Sequence, residues 1–189
     1  MSYSTITIAG GGNTGSQIAF MSALHGKDTT IWGFNDESIK AAKQLIQKWS
    51  QVVQDYTHCS DKQIKDAKNH LSYTTNLRLA TLHSDIMIEA LPEDVATKRN
   101  FYETFSRVND NPRMDVVTSS TTLLPAMLSE TIDRPNRFLA CTFTKHIWEN
   151  NTVNILTHAG TDQNMPDKIA QLAQQIGMEP TIIKNEQLA

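Results

Sequence analysis

The stretch Thr5–Trp32 reads TITIAGGGNTGSQIAFMSALHGKDTTIW. TITIA (Thr5–Ala9) is a short β-rich run. SQIAFMSALHG follows a glycine cluster and carries apolar residues at helical spacing, Ile18, Met21 and Leu24. Gly26 supplies a helix stop, and DTTIW (Asp28–Trp32) is a second strand. The order strand, glycine loop, helix, strand is a βαβ unit. Within it, Gly10, Gly12 and Gly15 match G-x-G-x-x-G in the context that gives the pattern meaning. The first glycine permits the tight turn, the second lets a pyrophosphate approach the backbone, and the third lets helix and strand pack closely. Asn13 and Thr14 fall in the first turn of that helix, where free N–H groups and a partial positive charge favour an anion. The loop therefore predicts a dinucleotide site.

The alternation continues outward. Asn35 or Asp36 is placed to cap a helix whose stripe is Ala42, Leu45, Ile46, Trp49, Val52, Val53 and Tyr56. A polar helix, DKQIKDAKNHL, follows a turn near His58–Ser60. SYTT is a short strand, and DIMIEAL (Asp85–Leu91) reads as a buried one ended by Pro92. DVATKRNFYETFSRV is an amphipathic helix with Val95, Phe101, Phe105 and Val108 as core candidates. MDVVTSS, RFLACTF and NTVNILTH are further strands, and TLLPAMLSETI is a short helix with Pro125 in its first turn. MPDKIAQLAQQIG is a last helix and PTIIK an edge-like strand. No linker or repeat interrupts the pattern. The expectation is an α/β protein, a Rossmann-type doubly wound and mainly parallel sheet, forming one dinucleotide-binding domain over residues 1–189.

Composition narrows the partners. With 39% hydrophobic and 20% charged residues and a net charge of −3, the 189-residue chain suits a soluble globular protein. It offers no global electrostatic case for nucleic acid or an anionic membrane. No segment has the unbroken apolar length of a membrane span, and the N-terminus lacks the pattern of a signal peptide. Cys59 and Cys141 have no metal-type spacing, and the plain expectation is a reduced, cytoplasmic protein. Cys141 reads as core and Cys59 as an exposed thiol near a turn. His25, His58, His70, His83 and His158 read as surface or helix-end residues, and no pair has zinc-like spacing.

Three further stretches, HSDIMIEALPEDVATKRNFYETF (His83–Phe105), TSSTTLLPAML (Thr118–Leu128) and RPNRFLACTFTKHIWENNTVNILTHAGTD (Arg134–Asp162), narrow the class. Together with the glycine loop they resemble the NAD-binding domain of L-3-hydroxyacyl-CoA dehydrogenases, over about Ile6 to Gln187. The resemblance implies NAD as cofactor and interconversion of 3-hydroxyacyl-CoA and 3-ketoacyl-CoA in fatty acid metabolism. It implies that Glu93 and Lys98 line the cofactor site. Taken from the residues alone, that pair is an ordinary salt-bridged helix start.

Departures from the family pattern lie at the chemistry. Gly33 stands where the family has a ribose-binding aspartate, and Ser119 and Thr121 stand for its asparagine and serine. Thr142 replaces the catalytic histidine, Lys145 the asparagine after it, and Asn154 the glutamate that orients the histidine. A threonine hydroxyl cannot act as a base near neutral pH. Losing general acid–base help costs roughly 10²–10⁴-fold in rate. His146, with Lys145 beside it, is the substitute the sequence offers if the loop brings either into the pocket, against a plain reading of both as exposed loop residues. Without the carboxylate at Gly33, NAD binding is expected to be weaker by roughly 10- to 150-fold, with NADP left open. The family continues after E-Q into a helical domain that this chain is expected to lack. A homo-oligomer, or a separate chain supplying that domain, is the implied partner beside an acyl-CoA substrate. Two functions follow: a 3-hydroxyacyl-CoA dehydrogenase domain of reduced activity, or a catalytically inactive nucleotide-binding or scaffold module of the same fold.

Overall fold

The computed structural model describes residues 3–183. Eight strands form one sheet: β1 (Thr5–Ala9), β2 (Asp28–Trp32), β3 (Leu71–Thr74), β4 (Ile86–Glu89), β5 (Asp115–Thr118), β6 (Phe138–Phe143), β7 (Thr152–Leu156) and β8 (Glu179–Ile183). Their order across the sheet is β3-β2-β1-β4-β5-β6-β7-β8. Every pair is parallel except β6 with β7. The helices are α1 (Asn13–Leu24), α2 (Asp36–Thr57), α3 (Asp61–Asn69), α4 (Leu77–Thr81), α5 (Val95–Val108), α6 (Pro125–Ser129) and α7 (Met165–Gln175). Among the described residues no helix is long and apolar enough to cross a membrane.

Period-two alternation in the strands divides the core into two layers. Ile6 and Ile8, Ile86 and Ile88, Val117, Leu139 and Cys141 join one cluster with side chains of α1, α2, α3 and α7. Met87, Val116 and Phe138 turn the other way and pack with Phe101, Tyr102 and Phe105 of α5 and with α4 and α6. Helices therefore cover both faces of the sheet, the doubly wound arrangement expected of βα repeats.

The caps follow the sequence. Asn35 caps α2 reciprocally with Ser38, and Ser60 caps α3 with Gln63; each pair satisfies donors a helix start leaves open. α1 differs: Gly12 holds its N-cap position without a side-chain bond, and no acidic residue lies in its first turn. Its stripe differs too, since both its faces are buried. Several readings shift in detail. Tyr56, in the last turn of α2, is exposed, and Tyr102 is buried completely. Helix α4 has no counterpart in the periodicity reading. His158, read as a surface residue, is buried; its Nε2 meets the Pro135 carbonyl at 2.9 Å and its Nδ1 takes the Gly160 N–H. Lys184 and the E-Q stretch at the chain end lie outside the described residues.

The switch point of the sheet lies between β1 and β4, whose connections leave toward opposite faces. Gly10 donates its N–H to the Trp32 carbonyl at 3.0 Å, and Ala90 donates to Ala9 at 2.8 Å, so both strands end beside the glycine loop. Gly10 has φ +106°, and a Cβ there would lie 2.8 Å from the Ala90 carbonyl oxygen. At Gly15 a Cβ would fall 1.9 Å from the Gly10 carbonyl oxygen, whereas at Gly12 it would meet nothing within 4 Å. Gly15→Ala is therefore expected to cost about 1–3 kcal/mol or more, as overpacking against backbone does. Gly12→Ala should stay within about 0.5 kcal/mol. Thermal unfolding of the two variants without ligand checks the contrast; equal melting temperatures would refute it.

Candidate functional site

A cleft of about 670 Å³ opens at the carboxyl ends of the strands. Gly10, Gly12, Asn13, Thr14, Gly33, Glu93, Ser119 and Thr121 all line it, with Lys145 and Phe34. This is where open α/β sheets bind ligands. The α1 N-terminus points its first-turn N–H groups here with neither a capping side chain nor a neighbouring carboxylate. The space at Gly12 leaves the backbone approachable. These features suit the pyrophosphate of a dinucleotide, so the residues present fit that cofactor. Gly15 supports the loop from behind, through its contact with Gly10.

Gly33 does more than lack a carboxylate. A Cβ there would lie 2.6 Å from Ser38 Oγ and 2.7 Å from Ile39 Cδ1. Ser38 is held by the α2 cap, accepting from the Asn35 N–H at 3.0 Å and donating to its carbonyl at 2.6 Å. The turn into α2 has closed over the position. Phe34, 81% exposed, follows at the rim. The polar groups left at this end are neutral hydroxyl and amide groups and the exposed carboxylates of Asp36 and Glu37.

Beneath the cleft lies a buried polar network that periodicity alone does not reveal. Glu89, the last residue of β4, has no exposure to solvent. Its Oε1 accepts from Lys98 Nζ at 2.6 Å and from the Leu91 N–H at 2.6 Å. Its Oε2 accepts from the Tyr102 hydroxyl at 2.9 Å and the Thr118 hydroxyl at 2.7 Å. Burial, and then the Glu89 charge, push the Tyr102 phenol well above its ordinary range, so it stays a donor. Lys98 is equally buried; it donates to the Leu91 carbonyl at 3.3 Å and has Glu93 Oε2 3.8 Å away, both residues of the cleft wall. It thus stands behind the cleft wall, one layer deeper than a residue lining the cofactor site. The reason is Glu89: a buried carboxylate draws the nearest ammonium to itself. A glutamate inside an otherwise apolar strand was the signal, since it demands a buried cation.

Glu93 organises the loop after β5. Its Oε1 accepts from the Ser120 hydroxyl, from the Thr121 and Thr122 N–H groups at 3.1 and 2.9 Å, and from the Thr122 hydroxyl at 2.8 Å. Burial works against its charge, but the bonds from Ser120 and Thr122 and the Lys98 ammonium outweigh it and hold the carboxyl at about 2. Ser119 and Thr121 are presented to the cleft by this turn.

Thr142 and Asn154 are direct partners in the antiparallel register of β6 and β7. Thr142 donates its hydroxyl to the Ser120 carbonyl at 3.1 Å. It is half-buried, and Asn154 is exposed. His146 is turned elsewhere. Its backbone has φ +55°, its ring stacks on Trp148 with centroids 5.4 Å apart, and its Nδ1 lies 3.5 Å from Glu149 Oε2. It does not line the cleft, whereas Lys145 does.

Residues 5–186 match the family described as 3-hydroxyacyl-CoA dehydrogenase, NAD binding domain. A probable 3-hydroxybutyryl-CoA dehydrogenase of Bacillus subtilis (strain 168) is 25% identical over 178 residues, 94% of this chain and 61% of that protein. A solved structure of a diketoreductase, described for dual catalysis of dicarbonyl compounds, has a TM-score of 0.93 at 30% identity, covering 97% of this chain and 65% of the other. The (S)-3-hydroxybutyryl-CoA dehydrogenase from Ralstonia eutropha shares the fold with a TM-score of 0.90 at 18% identity, covering 97% and 64%. The chain thus spans less than two thirds of the length of each of these relatives.

Removing one member of a buried ion pair leaves the other uncompensated, at a cost of about 3–5 kcal/mol. Lys98→Met should lose that much stability in urea unfolding. Glu89→Gln combined with Lys98→Met should recover a substantial part of it. A double variant no more stable than the single one would show that the pair is not the origin of the loss.

Proposed function

Because the chain belongs to the 3-hydroxyacyl-CoA dehydrogenase NAD-binding family, we propose that its cleft binds a nicotinamide dinucleotide next to an acyl-CoA, with turnover held low by Thr142 and Asn154. NAD is the cofactor the family implies, and bound there it would supply the hydride acceptor for a hydroxyl carbon. Gly10, Gly12, Asn13 and Thr14 would hold its pyrophosphate through backbone N–H groups and the α1 dipole. Ser119, Thr121 and Glu93 would border its far end. Gly33 with its closed turn leaves the adenosine ribose without a dedicated carboxylate. NAD would therefore bind weakly, with little discrimination against NADP.

The observation that carries the reading is the Thr142–Asn154 pair. Oxidation of a hydroxyl requires its proton to leave, and an imidazole steadied by a carboxylate suits that task. Here the two positions oppose each other across β6 and β7, which is the geometry such a pair needs. They hold a hydroxyl and an amide, and the hydroxyl proton is directed to Ser120. Thr142 can accept a hydrogen bond from substrate but cannot take its proton at neutral pH. The same observation favours a second reading, a nucleotide-binding module without turnover. The helical domain and acyl-CoA specificity of full-length relatives belong to the proposal only by family.

Oxidation of NADH by acetoacetyl-CoA, with NADPH in parallel, tests both. The wild-type rate should sit little above the reaction without protein, at similar levels for the two cofactors. Thr142→His combined with Asn154→Glu should raise it by about 100-fold or more, the range of general acid–base help. Efficient wild-type turnover would overturn the proposal. Nucleotide binding with no turnover in either protein would favour the second reading.

A further inference from the structure

The cleft is lined by two charged side chains, Glu93 and Lys145, and their situations are opposite. Glu93 is engaged by the loop after β5 and by Lys98. Among the described residues no ion pair involves Lys145. Its side chain is exposed, and the backbone on either side of it is held. Asn150 Nδ2 donates to the Lys145 carbonyl at 3.2 Å, and Thr144 binds the Asn150 carbonyl through its hydroxyl. Ile147 is buried, with its N–H 3.4 Å from Gln17 Oε1. The intervening His146 is stacked on Trp148. The loop thus turns its histidine to the tryptophan and leaves its lysine on the cleft.

An ammonium and the uncapped α1 N-terminus share this cleft, and both favour negative charge. Lys145 follows β6, four strands along from β2, where Gly33 lies. The Lys145 loop packs back on α1 and α2, with the Ile147 N–H on Gln17 and the Trp148 ring against Trp49. We propose that Lys145 is the oxyanion-binding group of the cleft, meeting either the pyrophosphate of the dinucleotide or a carboxylate on the second ligand. Both sources rest on the dinucleotide reading above; the unpaired cation does not. In the carboxylate case the substrate class widens from thioesters to anionic 3-keto and 3-hydroxy acids.

The test is calorimetric titration of the whole chain and of its Lys145→Met and Lys145→Arg variants. One arm uses inorganic pyrophosphate alone. The other uses acetoacetate with NADH present, and methyl acetoacetate as the uncharged counterpart. Lys145→Met should weaken at least one anion by about 10-fold or more, as loss of a charge-assisted bond does. Lys145→Arg should retain most of that affinity, and methyl acetoacetate should be indifferent to the variants. A loss confined to pyrophosphate assigns the phosphate source, and one confined to acetoacetate assigns the carboxylate. Equal affinity of wild type and Lys145→Met for both anions overturns the proposal, as does failure of the wild type to bind either. If pyrophosphate binds through Lys145 while NADH does not bind, the dinucleotide reading fails and the anion site stands.

Discussion

Glu89 stands at the end of β4 with no exposure to solvent, and the architecture of the site is arranged around its carboxyl group. A carboxylate removed from water costs several kcal/mol unless its lone pairs are matched. Here Lys98 and Tyr102 come from α5, Thr118 from β5, and the Leu91 N–H from the chain just leaving β4. Those bonds lock together the strand, its exit loop, the following helix and the neighbouring strand. The exit loop is the cleft wall at Ala90–Glu93, and Thr118 leads directly into the turn that Glu93 gathers. Charge deep in the sheet thus sets where the cleft's polar groups stand.

The other half of the cleft depends on steric closeness rather than charge. Gly10 and Gly15 let β1, β4 and α1 approach to distances that no side chain would allow. The result is an exposed helix start, without a side-chain cap among the described residues, between two strands that diverge. At the far end Gly33 uses the same freedom differently: Ser38 and Ile39 have moved into the volume that a side chain would take. An aspartate at this position would therefore collide with Ser38 of the α2 cap and with Ile39.

The doubly wound α/β fold was readable because its signals are local and periodic. Gly-rich loop, alternating strands and the amphipathic stripes of α2 and α5 each point to the same architecture. α4 escaped because TNLRLATL is too short for a helical period to emerge. His158 was misplaced because its burial comes from the Pro135 carbonyl, a contact across 23 residues that no pattern encodes. Glu89 was hidden within an apolar run, although a charge there should have prompted a search for its partner, and Lys98 is nine residues on. Thr142 and Asn154 were singled out by family resemblance alone. Their direct opposition needs the antiparallel turn of β7, which strand propensity does not report.

Family membership and a cleft beside the glycine loop make nucleotide binding the claim on which the functional reading rests. Backbone amide NMR spectra of the labelled chain, recorded while NADH is added, examine it directly. Saturable shifts should concentrate at Gly10–Thr14, Gly33 and Ser119–Thr121, leaving α3 and α7 unmoved. Shifts scattered over the surface, or none at millimolar NADH, would contradict a dinucleotide site in this cleft.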